Sequence, residues 1–251
     1  MSGVGAVVFD TDGVLLATAA RHAAAWKEAF DGCLAAWRPA AGGPSRPFDA
    51  VRDYRDLVDG RSRLDGVRAF LASRRIDLPP GTPQDAPGCA TVHAVAARKE
   101  RIFSEAVRTH GVEAYDDVRP VLLRLRAATV RCAAVSASRH ARPLLEATGL
   151  LGLFDAVVDG RDGALLGLPG KPDPALFLEA ADRLGTVPER TAVVEDALAG
   201  VEAGRGGGFR LVVGVDRGDD PGRGAALLAH GAHLVLTGLA PLTAALEDGR
   251  P

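Results

Sequence analysis

Residues 7–16 read VVFDTDGVLL, and they decide the fold. Ala6, Val7, Val8 and Phe9 form a short apolar run with β-branched members, which stops at a carboxylate, a hydroxyl, a second carboxylate and a glycine. A run of this kind is predicted to be a buried parallel strand opening into a polar loop. In open α/β sheets ligands bind beyond the carboxyl ends of the strands, so Asp10 and Asp12 stand where a site belongs. Alternation along an extended chain turns both carboxylates one way and Thr11 the other. Two carboxylates at close range repel unless a cation lies between them or one holds a proton. Both conditions suit a Mg²⁺-dependent enzyme in which one aspartate attacks and the other handles a proton. The plainer alternative for an isolated D-x-D is a strand ending in a solvated Asx turn.

Working outward, residues 18–37 have helical spacing, with Ala20, Ala23, Ala24, Phe30 and Leu34 able to share a face beside Trp26 and Trp37. Residues 39–47, PAAGGPSRP, break the pattern as a loop. Further helices are predicted over 49–57, 64–74 and 91–109, the last preceded by a Pro- and Gly-rich connection at 77–89. No strand pattern occurs between Leu16 and Gly111. From Asp117 onward the pattern changes. Helices are predicted at 118–128, 138–148, 173–184, 197–205, 222–230 and 239–246. They alternate with short apolar strands at 131–135, 154–158, 191–194, 210–215 and 233–236. That series predicts a mostly parallel sheet covered on both faces, to which the first strand belongs. The expected architecture is α/β: a doubly wound, Rossmann-like catalytic core of residues 1–16 and 112–251, with an all-helical domain inserted at 17–111.

The chain of 251 residues is long enough to bury a core without staples. Hydrophobic residues make up 47% and charged residues 25%, as in soluble globular proteins. A formal net charge of −2 gives no general attraction to nucleic acid or to anionic membranes, so phosphate would have to be bound locally. No run reaches the length of a membrane span, and cleavage of a signal peptide would delete the strand carrying Asp10. Cys33, Cys89 and Cys132 are odd in number and widely spaced, which suggests a reduced, cytoplasmic setting with neither disulfide nor zinc site. No heptad pattern is present, and a monomer is the expected state. Arginine heavily outnumbers lysine; only Lys27, Lys99 and Lys171 remain. A retained lysine can mark a place needing a compact ammonium, or be a random survivor of the compositional bias.

Three more segments bring polar residues to the strand ends. Residues 131–135 run into Ser136 in VSASRH, and residues 191–194 run into Glu195 and Asp196 in VVEDALAG. Between them GKPDP sets Lys171 in a loop before a helix. Taken singly, Ser136 or Ser138 could cap a helix, Lys171 could be a surface lysine at a Pro turn, and Glu195 and Asp196 could serve a helix dipole. Together they meet the needs of phosphoryl transfer through an aspartyl phosphate. Asp10, the Asp12 backbone carbonyl, Asp196 and Glu195 offer oxygen ligands for Mg²⁺. Lys171 would neutralise phosphate charge and Ser136 would donate to a non-bridging oxygen. Asp10 must be ionised to attack and Asp12 protonated to serve the leaving oxygen.

With these residues in view, FDTDGV, Ser136, GKPDP and Glu195-Asp196 resemble, in order, the four motifs of the haloacid dehalogenase superfamily of phosphohydrolases. The resemblance implies Asp10 as nucleophile, Asp12 as acid/base, and a Rossmann-like core with a mobile helical cap. A finer resemblance is to the β-phosphoglucomutase family. His22, in RHAAAWK with Trp26, has the spacing of that family's cap-helix histidine. GRSR ending at Arg63 resembles its distal-phosphate G-x-x-R, Arg98-Lys99 its basic pair, and Ser136 to His140 its S-A-S-K-N. This implies substrate contacts from His22, Trp26, Arg63, Lys99, Ser138 and His140, and a small phosphosugar as substrate. Ala17, Glu100 and His140 depart from the pattern. GRGGGF at 204–209 precedes a strand rather than following one, and reads as a helix C-cap and turn, not a dinucleotide loop. The expected function is Mg²⁺-dependent phosphoryl transfer, foremost a β-phosphoglucomutase, alternatively a phosphosugar phosphatase, and more remotely a non-catalytic phosphate-binding module.

Overall fold

The structure is a computed structural model that describes residues 3–37, 46–218 and 222–248. Most of the loop expected at 39–47 lies outside them. The chain divides into two compact units, Met1–Ala17 with Val112–Pro251, and Thr18–Gly111. No helix among the described residues is long and apolar enough to cross a membrane.

The first unit is built on a six-stranded, wholly parallel sheet: β1 (Ala6–Asp10), β2 (Arg131–Val135), β3 (Ala156–Val158), β4 (Thr191–Glu195), β5 (Leu211–Val215) and β6 (Leu234–Leu236). Their spatial order is β3-β2-β1-β4-β5-β6. All of β1, β4 and β5 is buried, as expected of strands covered on both faces. Ala6 and Val8 pack on one side with Ala133, Val135, Val193 and Val212, beneath Leu176, Phe177 and Ala180. Val7 and Phe9, buried too, take the other side by strand alternation. The direction of strand addition reverses between β1 and β4, which makes the gap at their carboxyl ends the topological switch point. Register puts Phe9 opposite Val194, so Asp10 and Glu195 emerge at the same level.

Helices connect the strands: α4 (Val118–Ala127), α5 (Ala141–Ala147), α6 (Gly160–Leu166), α7 (Ala175–Arg183), α8 (Leu198–Gly206), α9 (Arg223–Ala229) and α10 (Leu242–Asp248). The sequence reading does not contain α6, because Gly160 and Gly163 hide its periodicity. A reciprocal capping box between Asp159 and Asp162 starts it. Helix α5 begins at Ala141, not at residue 138, because the Ser138 hydroxyl accepts the His140 N–H and holds a turn there.

The second unit contains α1 (Ala19–Asp31), α2 (Arg63–Ser73) and α3 (Val92–His110). Helix α1 is shorter than predicted, ending before Gly32 and continuing as turns. The helix expected over 49–57 is instead one π-helical turn, Tyr54–Val58. Asp49 accepts the N–H groups of Val51 and Arg52, and Asp53 accepts that of Asp49, which caps the start of the segment where no helical carbonyl is in reach. Aromatic rings fill the interior, with Phe30 stacked on Phe70 at 3.9 Å and on Trp26 at 4.9 Å.

The expectation of unpaired cysteines is corrected. Cys33 and Cys89 form a disulfide, with Cα atoms 5.3 Å apart and a sequence separation of 56. That separation carries no signal of proximity; packing of the chain after α1 against the segment before α3 creates it. Trp37 Nε1 donates to the Cys89 carbonyl at 2.8 Å in the same place. The cysteines therefore no longer argue for a reducing compartment. Cys132 is unpaired and buried, and burial, with the Asp155 charge, pushes its thiol up to about 12. In the chain-entropy account a loop of this length stabilises by about 4 kcal/mol. Cys33→Ser, or reductant, is expected to lower the melting temperature by several degrees, as read by calorimetry with and without dithiothreitol. An unchanged melting curve would mean the two sulfurs are not bonded.

Candidate active site

The switch point gathers carboxylates. Asp10 ends β1, Glu195 ends β4, and Asp196 follows at once; all three are buried, and they offer ligand oxygens within 4.8 Å of one another. Lys171, in the turn before α7, is 1% exposed and lies between two of them. Its ammonium contacts Asp10 Oδ1 and donates to Glu195 Oε1 at 2.5 Å, with the Phe177 ring 4.7 Å away. The other Glu195 oxygen accepts the Ala197 N–H at 2.7 Å.

Two glycines make room for this cluster. A Cβ at Gly200 would come within 1.7 Å of Glu195 Oε1, and one at Gly13 within 2.1 Å of Asp196 Oδ2. Gly13 also has φ +84°, which L side chains rarely adopt. The glycine of FDTDG is thus needed both for its backbone and for its missing side chain.

Burial, the largest effect, and the charges of Glu195 and Asp12 lift the Asp10 carboxyl well above the ordinary range, although Lys171 pulls the other way. For Lys171, burial disfavours the charge, but Asp10 and Glu195 outweigh it and raise its pKa. Asp12 is partly buried. Ser136 Oγ donates to Asp12 Oδ2 at 3.0 Å and accepts the Ser138 N–H at 3.0 Å. The serine hydroxyl that the sequence reading assigned to phosphate is thus in contact with the second aspartate. Ser138 and His140 form the turn into α5.

One further residue reaches the cluster. Arg223, the first residue of α9, donates from Nη2 to both Asp196 Oδ2 (2.9 Å) and the Asp196 carbonyl (2.8 Å). Sequence reasoning missed it, since GDDPGRG carries no motif and Arg223 lies 27 residues beyond its partner.

The four remaining candidates lie in the helical unit. Lys99, on α3, is buried and has its Nζ 2.7 Å from His22 Nδ1. That ammonium also lies 4.5 Å from the Phe103 ring and 5.3 Å from the Trp26 ring. His22 stacks on Phe103 at 3.9 Å. Trp26 is 3% exposed and packs in the aromatic core, with its ring against the Lys99 ammonium. Arg63, at the start of α2, pairs with Glu100. His22, Lys99 and Trp26 are therefore brought together, and Arg63 meets one of the positions that depart from the family pattern.

The donor set suits a hard divalent cation. Asp10, Glu195 and Asp196 face two cationic side chains, Lys171 and Arg223, leaving a deficit of one positive charge when all three carboxylates are ionised. All-oxygen ligands are what Mg²⁺ prefers.

The haloacid dehalogenase-like hydrolase family model matches residues 4–208, a span that contains every one of these carboxylates. The chain belongs to that family. Among its relatives is the β-phosphoglucomutase of Mycobacterium bovis, 43% identical over 239 residues, covering 95% of this chain and 91% of the relative. The phosphorylated carbohydrates phosphatase of Thermotoga maritima is 29% identical, covering 90% of this chain and 91% of that protein. A haloacid dehalogenase family hydrolase from Deinococcus radiodurans, solved with bound phosphate and sodium, superposes with a TM-score of 0.65 at 31% identity, covering 99% and 97% of the two chains. Membership makes the chain a phosphomutase or phosphatase and excludes the non-catalytic module.

Proposed function

We propose that this haloacid dehalogenase enzyme is a Mg²⁺-dependent β-phosphoglucomutase, converting β-glucose 1-phosphate to glucose 6-phosphate through an aspartyl phosphate. The observation that carries the chemistry is the buried Asp10–Lys171–Glu195 cluster at the switch point. The substrate assignment rests on the 43% identity to a β-phosphoglucomutase along nearly the whole chain.

Asp10, Glu195, Asp196 and the backbone at Asp12 would hold Mg²⁺, which supplies the positive charge that lets an anionic carboxylate meet an anionic phosphate. Asp10 attacks phosphorus. Lys171 neutralises charge beside the nucleophile and, together with the cation, favours the ionised form of Asp10 against its burial. Asp12 gives its proton to the departing sugar oxygen and later takes one from the sugar hydroxyl that collects the phosphoryl group. The Ser136 hydroxyl orients Asp12 for both tasks. The helical unit serves as the cap, with Arg63 and Lys99 for the second phosphate of the bisphosphate intermediate and His22 beside them. The setting that goes with a phosphosugar substrate is the cytoplasm, and the enzyme acts as a monomer.

A phosphatase uses the same first step and lets water complete the second; the Thermotoga maritima relative favours this second reading. Both products in one tube separate the two. With Mg²⁺, β-glucose 1-phosphate and a trace of glucose 1,6-bisphosphate, glucose 6-phosphate is expected to accumulate without stoichiometric free phosphate. Free phosphate without isomerisation would establish the phosphatase instead.

A further inference from the structure

We propose that Arg223 is a positioning residue for Asp196, setting that carboxylate for the cation; the inference rests on the metal-site reading above. Each member of the acidic cluster is tethered. Asp10 and Glu195 share Lys171, and Glu195 also accepts the Ala197 N–H. Asp196 is held from elsewhere in the fold, by a guanidinium carried on the loop and helix that follow β5.

The geometry is that of an orienting contact. One nitrogen, Nη2, grips the Asp196 backbone carbonyl at 2.8 Å and its side-chain Oδ2 at 2.9 Å, so the carboxylate is tied to its own main chain through a single donor. On another side Oδ2 closes on Gly13, where a Cβ would stand 2.1 Å away. An arginine here costs something. Its charge repels the cation that Asp196 would bind, and repulsion alone would make it a defect. A carboxylate held in place beforehand does not have to be ordered when the cation arrives. Partners outside the direct ligand set typically contribute 10–100-fold, in order of magnitude, to metal affinity or activity. Orientation is thus the effect expected to win. The contact also couples the β5–α9 connection to the β4 end of the site, which no sequence motif joins.

The test uses the full chain and reads Mg²⁺ binding directly, by calorimetry and by Mn²⁺ electron paramagnetic resonance, beside steady-state kinetics. R223Q is expected to weaken binding of either cation by about 10–100-fold and to raise the Mg²⁺ concentration needed for half-maximal rate. Saturating Mg²⁺ should restore part of the lost rate, so that the Mg²⁺ requirement moves by a larger factor than the turnover. R223K, which keeps one donor and the charge, should recover part of the affinity. In an Asp196→Asn background the substitution should change cation affinity no further. R223Q that binds as well as wild type, or more tightly, overturns the positioning role, as does an equal loss in the Asp196→Asn background. Should R223Q fail to fold, R223K alone and in that background decides the same question. Wild-type protein that binds neither cation overturns the metal-site reading itself, a result separable from the others.

Discussion

Asp10→Asn is expected to lower turnover by at least about 10⁴-fold, the scale on which nucleophile removal acts, while leaving the melting curve of a folded protein. Asparagine is nearly isosteric, so the packing of β1 and the seat beside Lys171 survive. Its amide oxygen can still accept from the ammonium, but an amide does not attack phosphorus. The raised pKa of Asp10 sharpens the prediction. A carboxyl lifted by burial and by Glu195 and Asp12 is a poor anion until positive charge arrives, so activity requires both Lys171 and a cation. Rapid-quench labelling with ³²P-phosphosugar should trap acid-stable, hydroxylamine-sensitive phosphoprotein in wild type and none in the variant. Retention of turnover in the variant would remove Asp10 from the nucleophile's role.

Lys171→Met should do two things at once. Turnover is expected to fall by about 10²–10³-fold or more, as when a charge-stabilising donor is lost. Stability should fall by about 3–5 kcal/mol, the cost of leaving buried charge without its partner. Lysine and methionine have similar length, so the loss reports charge rather than volume. The pH dependence has a definite sign. The Lys171 pKa is raised on folding, so the lysine keeps its charge until strong alkali; at the acid end the contribution fades because the carboxylate partner, not the lysine, loses its charge. The stability gap between variant and wild type should therefore be wide at pH 7. It should narrow as the pH falls and Asp10, already raised, takes up its proton. Urea unfolding of both proteins from pH 4 to pH 8 measures this. A variant as stable as wild type at pH 7 would show that the carboxylates do not depend on the lysine.

Much of the molecule is legible in the chain because much of it is local. VVFDTDGVLL specifies a buried strand and a polar loop through nothing more than the contrast between four apolar residues and two carboxylates. The alternation after Asp117 specifies a parallel sheet because only crossover helices can join parallel neighbours. Ser136, Lys171, Glu195 and Asp196 could be placed at strand ends and in a loop by the same local reasoning. Helix α6 escaped because glycines at both ends of one turn erase periodicity, and the π-helical closure of Tyr54–Val58 because the spacing of its apolar residues is that of an ordinary helix.

What the sequence by itself determined is which segments are strands, which are helices, and which polar residues stand where strands end. Only the tertiary structure decided which of those residues touch. The order β3-β2-β1-β4-β5-β6 puts β4 beside β1, and so sets Glu195 against a lysine that also meets Asp10. Packing sends the Ser136 hydroxyl to Asp12, brings Arg223 to Asp196, and joins Cys33 to Cys89. Strand and helix identity follows from periodicities a few residues long, whereas these contacts span 24 to 161 residues. At such separations only the packing of whole elements, each choosing its neighbour by the apolar face it must bury, determines who meets whom.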